Sequence, residues 1–183
     1  AETARWRRMQ HRQRSYHDEV VGEIDGLRAD FDVGEYGRLS YDGDIYPLYA
    51  VRSRHWDASL PTVLVTGGVH GYETSGVHGA LQFLREQAVA YAGRVNLLVA
   101  SGVSPWGYER IQRWNPEAID PNRSFHADSP AGESAALWRL VKGLDLPCLM
   151  HIDLHETTDT DDTEFRPALA ARDGKSLAPG GIP

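Results

Sequence analysis

Cysteine is nearly missing from this sequence: Cys148 is the single one in 183 residues, so it has no partner within the chain for an internal disulfide and nothing calls for an oxidising compartment. Long apolar runs are also missing. A bilayer span needs about 20 consecutive apolar residues and no stretch approaches that. Positive charge is in deficit, with 19 Lys and Arg against 26 Asp and Glu, and the net charge of -7 argues against a nucleic-acid partner. Three catalytic or cofactor signatures are absent too. There is no Gly-x-Ser-x-Gly nucleophile turn, no Gly-x-x-x-x-Gly-Lys phosphate loop, and Gly67-Gly68 lacks the full dinucleotide fingerprint. The simplest inference is a cytoplasmic protein with neither a membrane nor a nucleic-acid partner.

What is present suits one domain over residues 1–183, with 41% hydrophobic and 25% charged residues and no internal repeat. Residues 3 to 21 read as one helix, because Trp6, Met9, Tyr16 and Val20 fall near one face while Arg5, Arg7, Arg8, Arg12 and Arg14 spread over the rest as a solvated surface. From Phe31 to Arg52 short strands follow, with a hairpin turn at Asp42-Gly43. The apolar runs at 62–66, 95–100 and 146–154 alternate with helical periodicity over 76–91 and 131–144. That alternation predicts an α/β fold, a mostly parallel or mixed sheet with helices on both faces. The stretch from Ser104 to Asp128 reads as a long irregular loop outside the core, and such loops are more often functional than not. The tail from Lys175 to Pro183 supplies no element that closes a domain, which points to a C-terminally truncated chain lacking its last strand or strands.

The run Thr62-Val63-Leu64-Val65-Thr66 breaks at Gly67-Gly68 and presents His70 and Glu73 where a strand gives way to a helix, the place where open α/β sheets put their ligands. His155 ends the third apolar run. Two imidazoles and a carboxylate form a donor set that suits catalytic zinc, leaving a coordination position for water or substrate. His-x-x-Glu alone arises readily by chance; its position after a Gly-Gly exit and the second strand-end histidine give it weight. His78, five positions beyond Glu73, is turned about 140° round the helix and should point elsewhere. Asp153 shares the face of His155 in an extended strand and could orient it, whereas His151 reads as a hydrogen-bonded core residue.

Downstream lie Arg110-Ile111-Gln112-Arg113-Trp114-Asn115-Pro116 and Asp120-Pro121-Asn122-Arg123-Ser124-Phe125. Taken in order with the two metal motifs, residues 60 to 158 resemble the zinc carboxypeptidase superfamily, which includes N-acyl-amino-acid deacylases such as aspartoacylase and succinylglutamate desuccinylase. The resemblance implies Zn2+ held by His70, Glu73 and His155, with Arg113 stabilising the carbonyl oxyanion. It also implies that Asn122 and Arg123 hold the substrate carboxylate, and that the substrate is a peptide or N-acyl amino acid with a free carboxylate. Asp153-Leu154-His155 is close to the form in the deacylase branch, while Ser104-Pro105-Trp106-Gly107 looks like a variant of the family's Asn-Pro-Asp-Gly turn with two positions departing, and Pro121 replaces its commoner leucine. The superfamily's general base is a glutamate from a later strand. Glu156 and Glu164 are the candidates after His155, and neither stands where that base should.

The residues themselves suit these roles, since a guanidinium grips a carboxylate through two parallel hydrogen bonds and stays charged at any working pH. The resulting expectation is a metallocarboxypeptidase, with an N-acyl-amino-acid deacylase or a metal- and carboxylate-binding module without the base as the alternatives.

Overall fold

The computed structural model describes residues 2–144, 148–156 and 166–174. The strand that carries the site is β3 (Thr62–Gly67), an inner strand whose Val63, Leu64 and Val65 have strands on both sides. The full order is β1-β2-β4-β3-β5, with β1 (Phe31–Tyr41), β2 (Asp44–Ser53), β4 (Asn96–Ser101) and β5 (Cys148–Leu154). β3 runs parallel to β4 and β5, whereas β2 is antiparallel to both β1 and β4. The sheet is therefore mixed, and it is parallel where the strand-end ligands lie. The hairpin forms at Asp42-Gly43 as expected, both residues having positive φ (55° and 88°), the geometry that matches the twist of the strands it joins.

Alternation along the strands assigns the two faces. Leu64, Leu98 and Ala50 pack with Leu140, Val141 and Leu144 at the end of α5 (Gly132–Lys142) and just beyond it. Val65, Leu97 and Val99 pack in the cluster that holds Val77, Ala80, Leu81 and Leu84 of α3 (Thr74–Glu86). Helices cover both faces, and the apolar stripe of α3 follows the 3.6-residue period read from the sequence. Among the described residues the remaining α-helices are α1 (Glu2–Met9), α2 (Gly22–Gly26) within a helical run over 17–29, α4 (Pro105–Arg110) and α6 (Arg166–Asp173). α1 packs against α6.

Two expectations are corrected. The single helix over 3–21 is broken at 10–15, where the Gln13 and Arg14 amides donate to the Glu109 carbonyl at 2.7 and 3.3 Å and the Tyr16 amide donates to Glu109 Oε1 at 3.2 Å. Donors that find tertiary acceptors have no need of carbonyls one helical turn back, and amphipathic spacing carries no information about such partners. Arg12 and Arg14 are accordingly not a solvated helix face. The stretch 104–128 is also largely core rather than surface loop: Trp106, Tyr108, Glu109, Asn115 and Asp120 are buried. Glu109 enters because its charge is satisfied there, by Arg12 (2.7 Å) and by the Tyr46 hydroxyl (2.9 Å). Glu164 and the tail from 175 lie outside the described residues.

Among the described residues, no helix is long and apolar enough to cross a membrane.

Candidate metal centre

Pairing of β3 with β5 brings the ligand candidates together. The parallel register sets Gly67 opposite Leu154, so the chains leave both strands side by side and His155 follows at once. On the β3 side Gly68 takes φ +70°, a conformation open to glycine and costly for other residues, and the exit is tied down by Ser104, whose amide donates to Gly68 O (2.9 Å) and whose hydroxyl donates to Val69 O (2.6 Å). The Glu73 amide closes the turn onto His70 O at 3.2 Å, and Glu73 occupies the N-cap position of α3, where the helix dipole favours its negative charge. Gly71 packs so tightly on the Gly107–Tyr108 peptide that a Cβ there would overlap backbone.

The Glu73 carboxylate sits between two imidazoles. Its Oε1 is 2.8 Å from His70 Nδ1 and its Oε2 is 2.7 Å from His155 Nδ1. One ligand atom from each of the three residues lies within 4.8 Å of the others. Each imidazole is held from behind by a second carboxylate: His70 Nε2 is 2.9 Å from Asp120 Oδ1, and His155 Nε2 is 2.6 Å from Asp153 Oδ2. Carboxylates placed this way fix the tautomer and leave Nδ1 as the coordinating atom, an arrangement common around protein-bound metals. The donor set fits a divalent ion, with two nitrogens and a carboxylate converging and both rings oriented. His70 and Glu73 are 2% and 1% exposed, while the side chain of His155 is 33% exposed, so approach is from the His155 side.

The electrostatics agree. Burial opposes a charged His70, but its hydrogen bonds to Asp120 and Glu73, and their negative charges, outweigh it and raise the imidazole pKa above its ordinary value. Burial likewise works against ionised Asp120, yet the His70 contact and charge, then Arg113, lower its pKa. This pocket of carboxylates favours a positive charge at its centre, whether proton or metal.

Arg113 donates to Asp120 Oδ2 from Nη2 at 3.2 Å, next to the carboxylate that orients His70. Asn122 is half-buried in the turn Pro121–Arg123, its backbone N–H donating to Asp120 Oδ1 at 2.9 Å, and Arg123 is exposed at the end of that turn. Asp153 takes the orienting place its strand parity suggested, supported by the Thr66 hydroxyl, which donates to Asp153 Oδ1 at 2.7 Å and lies 2.8 Å from His151 Nε2. His151 is thus hydrogen-bonded but exposed, not a core residue. His78 points to the Tyr108 hydroxyl at 3.0 Å, away from the ligands. Glu156 accepts from the Ser75 amide at the start of α3. Asp120 went unread in the sequence beyond its place in the Asp-Pro-Asn-Arg run, because its partner lies 50 positions away.

No family model and no curated protein matches the chain. Solved structures do. At 27% identity it is similar to a provisionally assigned metallopeptidase from Shewanella denitrificans, covering 69% of this chain and 47% of that one with a TM-score of 0.59. A metallo-carboxypeptidase from Burkholderia cenocepacia matches at 18% identity over 76% of this chain and 40% of its own, TM-score 0.62. Carboxypeptidase A from Helicoverpa armigera matches at 16% identity over 79% and 46%, TM-score 0.60. The chain spans half or less of the length of each. With its five-strand mixed sheet and its ligand candidates at the ends of two parallel strands, the chain has the fold of the zinc carboxypeptidases.

Proposed function

We propose that this chain carries the metal centre and part of the substrate clamp of a zinc-dependent hydrolase that cleaves an amide bond beside a free carboxylate, most simply a metallocarboxypeptidase removing C-terminal residues from peptides. The observation that supports this best is the convergence of His70 Nδ1, Glu73 and His155 Nδ1, each imidazole backed by its own carboxylate. His70, Glu73 and His155 would hold Zn2+, which when bound lowers the pKa of a coordinated water from about 15.7 to about 7 and polarises a carbonyl. Arg113, kept in place by Asp120, is assigned to the carbonyl oxygen, where a fixed guanidinium stabilises developing negative charge. Asn122 and the exposed Arg123 are assigned to the substrate's carboxylate, which Arg can grip through two parallel bonds. Glu156 is committed to the Ser75 amide and is not assigned as the general base. A cytoplasmic setting belongs to the same reading, given the lone Cys148.

A second reading has its own support. The Asp153–His155 pair, in the Asp-Leu-His order of the deacylase branch, favours an N-acyl-amino-acid substrate held by the same metal and arginines. A panel of peptides with free C-termini and of N-acyl amino acids separates the two. Peptide cleavage supports the carboxypeptidase reading; cleavage of N-acyl amino acids alone replaces it with the deacylase.

A further inference from the structure

The N-terminal segment passes directly beneath the ligand turn, and one of its arginines reaches into it. Arg14 donates from Nη2 to Gly71 O at 3.1 Å, from Nη1 to Thr74 Oγ1 at 2.6 Å and from Nε to Tyr108 O at 2.6 Å. Its guanidinium carbon lies 3.7 Å from the centre of the Tyr108 ring. Gly71 and Thr74 immediately follow His70 and Glu73 in sequence, so Arg14 holds the ligand-bearing turn at two points and α4 at a third.

The segment is itself anchored independently of the turn. Gln13 and Arg14 amides bond the Glu109 carbonyl, and Arg12 Nε donates to Glu109 Oε2 at 2.7 Å while its Nη2 donates to Asp44 at 2.8 Å. Tyr108, on which Arg14 stacks, donates its hydroxyl to Glu19 Oε2 at 2.8 Å. The two arginines of one segment therefore do different things: Arg12 ties the segment to α4 and β2, and Arg14 ties the ligand turn to the segment and to α4.

We propose that Arg14 is a positioning residue of the metal centre, setting the separation and direction of His70 and Glu73 through Gly71 O and Thr74 Oγ1. The inference rests on the metal reading above. The chemistry favours arginine in particular: a planar guanidinium with donors at fixed angles can serve three acceptors at once while stacking on an aromatic face, which a lysine ammonium cannot reproduce. Partners that orient metal ligands typically change metal affinity by about 10–100-fold when removed.

The test compares Arg14→Gln, Arg14→Lys and Arg12→Gln with the wild-type chain, measuring the Zn2+ dissociation constant by chelator competition and the visible absorption of the Co2+-loaded proteins. Thermal melting of the metal-free proteins checks that each folds. Arg14→Lys keeps a positive charge and a long side chain beside Tyr108, so it serves as the mildest of the Arg14 variants. Both Arg14 variants are expected to weaken Zn2+ by roughly tenfold or more and to alter the Co2+ bands. Arg12→Gln is expected to lower the melting temperature while keeping the dissociation constant within about twofold and the spectrum unchanged, since it loses only anchoring contacts. A folded Arg14→Lys with wild-type affinity and spectrum overturns the inference alone, as does an Arg12→Gln that shifts both as much as the Arg14 variants do. Absence of any metal binding by the wild-type chain overturns the metal reading, and this inference with it.

Discussion

Asp153 approaches His155 Nε2 to 2.6 Å and in doing so leaves Nδ1 of that ring facing Glu73. Asp120 stands in the same relation to His70 at 2.9 Å, although the two aspartates come from unrelated places, one two residues upstream in a strand and the other 50 residues downstream in a turn. Both histidines thereby turn the same ring atom, Nδ1, toward Glu73.

Removing the charge from Asp153 therefore has a defined consequence. Asp153→Asn is expected to weaken Zn2+ binding by about 10–100-fold without a comparable loss of folding stability. Thr66→Val, which removes the hydroxyl that donates to Asp153, is expected to act in the same direction and less strongly. Chelator competition on the two variants measures this, and wild-type affinity in Asp153→Asn would show that the contact does not orient the ligand.

Asp120 and Arg113 can be told apart in the same way. Asp120 touches both His70 and Arg113, so Asp120→Asn should lower metal affinity and turnover together. Arg113→Gln should leave zinc bound and cut turnover on the order of 10²–10³-fold, the usual cost of losing a donor to a developing oxyanion. Parallel zinc titrations and rate measurements on the substrate that the panel identifies decide it, and loss of zinc from Arg113→Gln would reassign Arg113 to holding the site rather than the substrate.

Glu133 gives a prediction about stability. It is fully buried in the first turn of α5, with the Tyr41 hydroxyl donating to Oε2 at 3.2 Å, and burial pushes its carboxyl up to about 7 from an ordinary 4.5. The folded protein thus keeps a proton that the unfolded chain releases, so this group's stabilising contribution is full below about pH 4.5 and is lost as pH rises to 7. The loss is on the order of 3 kcal/mol. Glu133→Gln cannot ionise and is expected to melt progressively higher than wild type as pH is raised through that window. Melting curves that stay parallel from pH 4.5 to 7.5 would contradict the assignment.

What the sequence reveals and conceals divides along physical lines. The β3 exit, the hairpin at Asp42-Gly43 and the buried stripe of α3 follow from local periodicity and from turn residues, and these can be read from a few neighbouring positions. Strand parity likewise gave Asp153 its place beside His155. The break at 10–15 and the burial of 104–128 depend on partners far away, Glu109 for Gln13 and Arg12 for Glu109, and no window along the chain contains both members of such a pair. Asp120 and Arg14 escape notice for the same reason. Each looks like an ordinary charged residue until the fold sets it against His70 or Gly71. The ligand candidates and Asp153 are visible in the sequence, whereas Asp120 and Arg14 emerge only from the three-dimensional arrangement.

The central claim is that His70, Glu73 and His155 hold a metal ion, and elemental analysis after exhaustive dialysis tests it most directly. Wild-type protein reconstituted with Zn2+ should retain the metal, while His70→Ala, Glu73→Ala and His155→Ala should each lose it and His151→Ala, which alters an imidazole of β5 that meets Thr66 rather than Glu73, should keep it. Equal zinc content in the wild type and in His70→Ala would contradict the account.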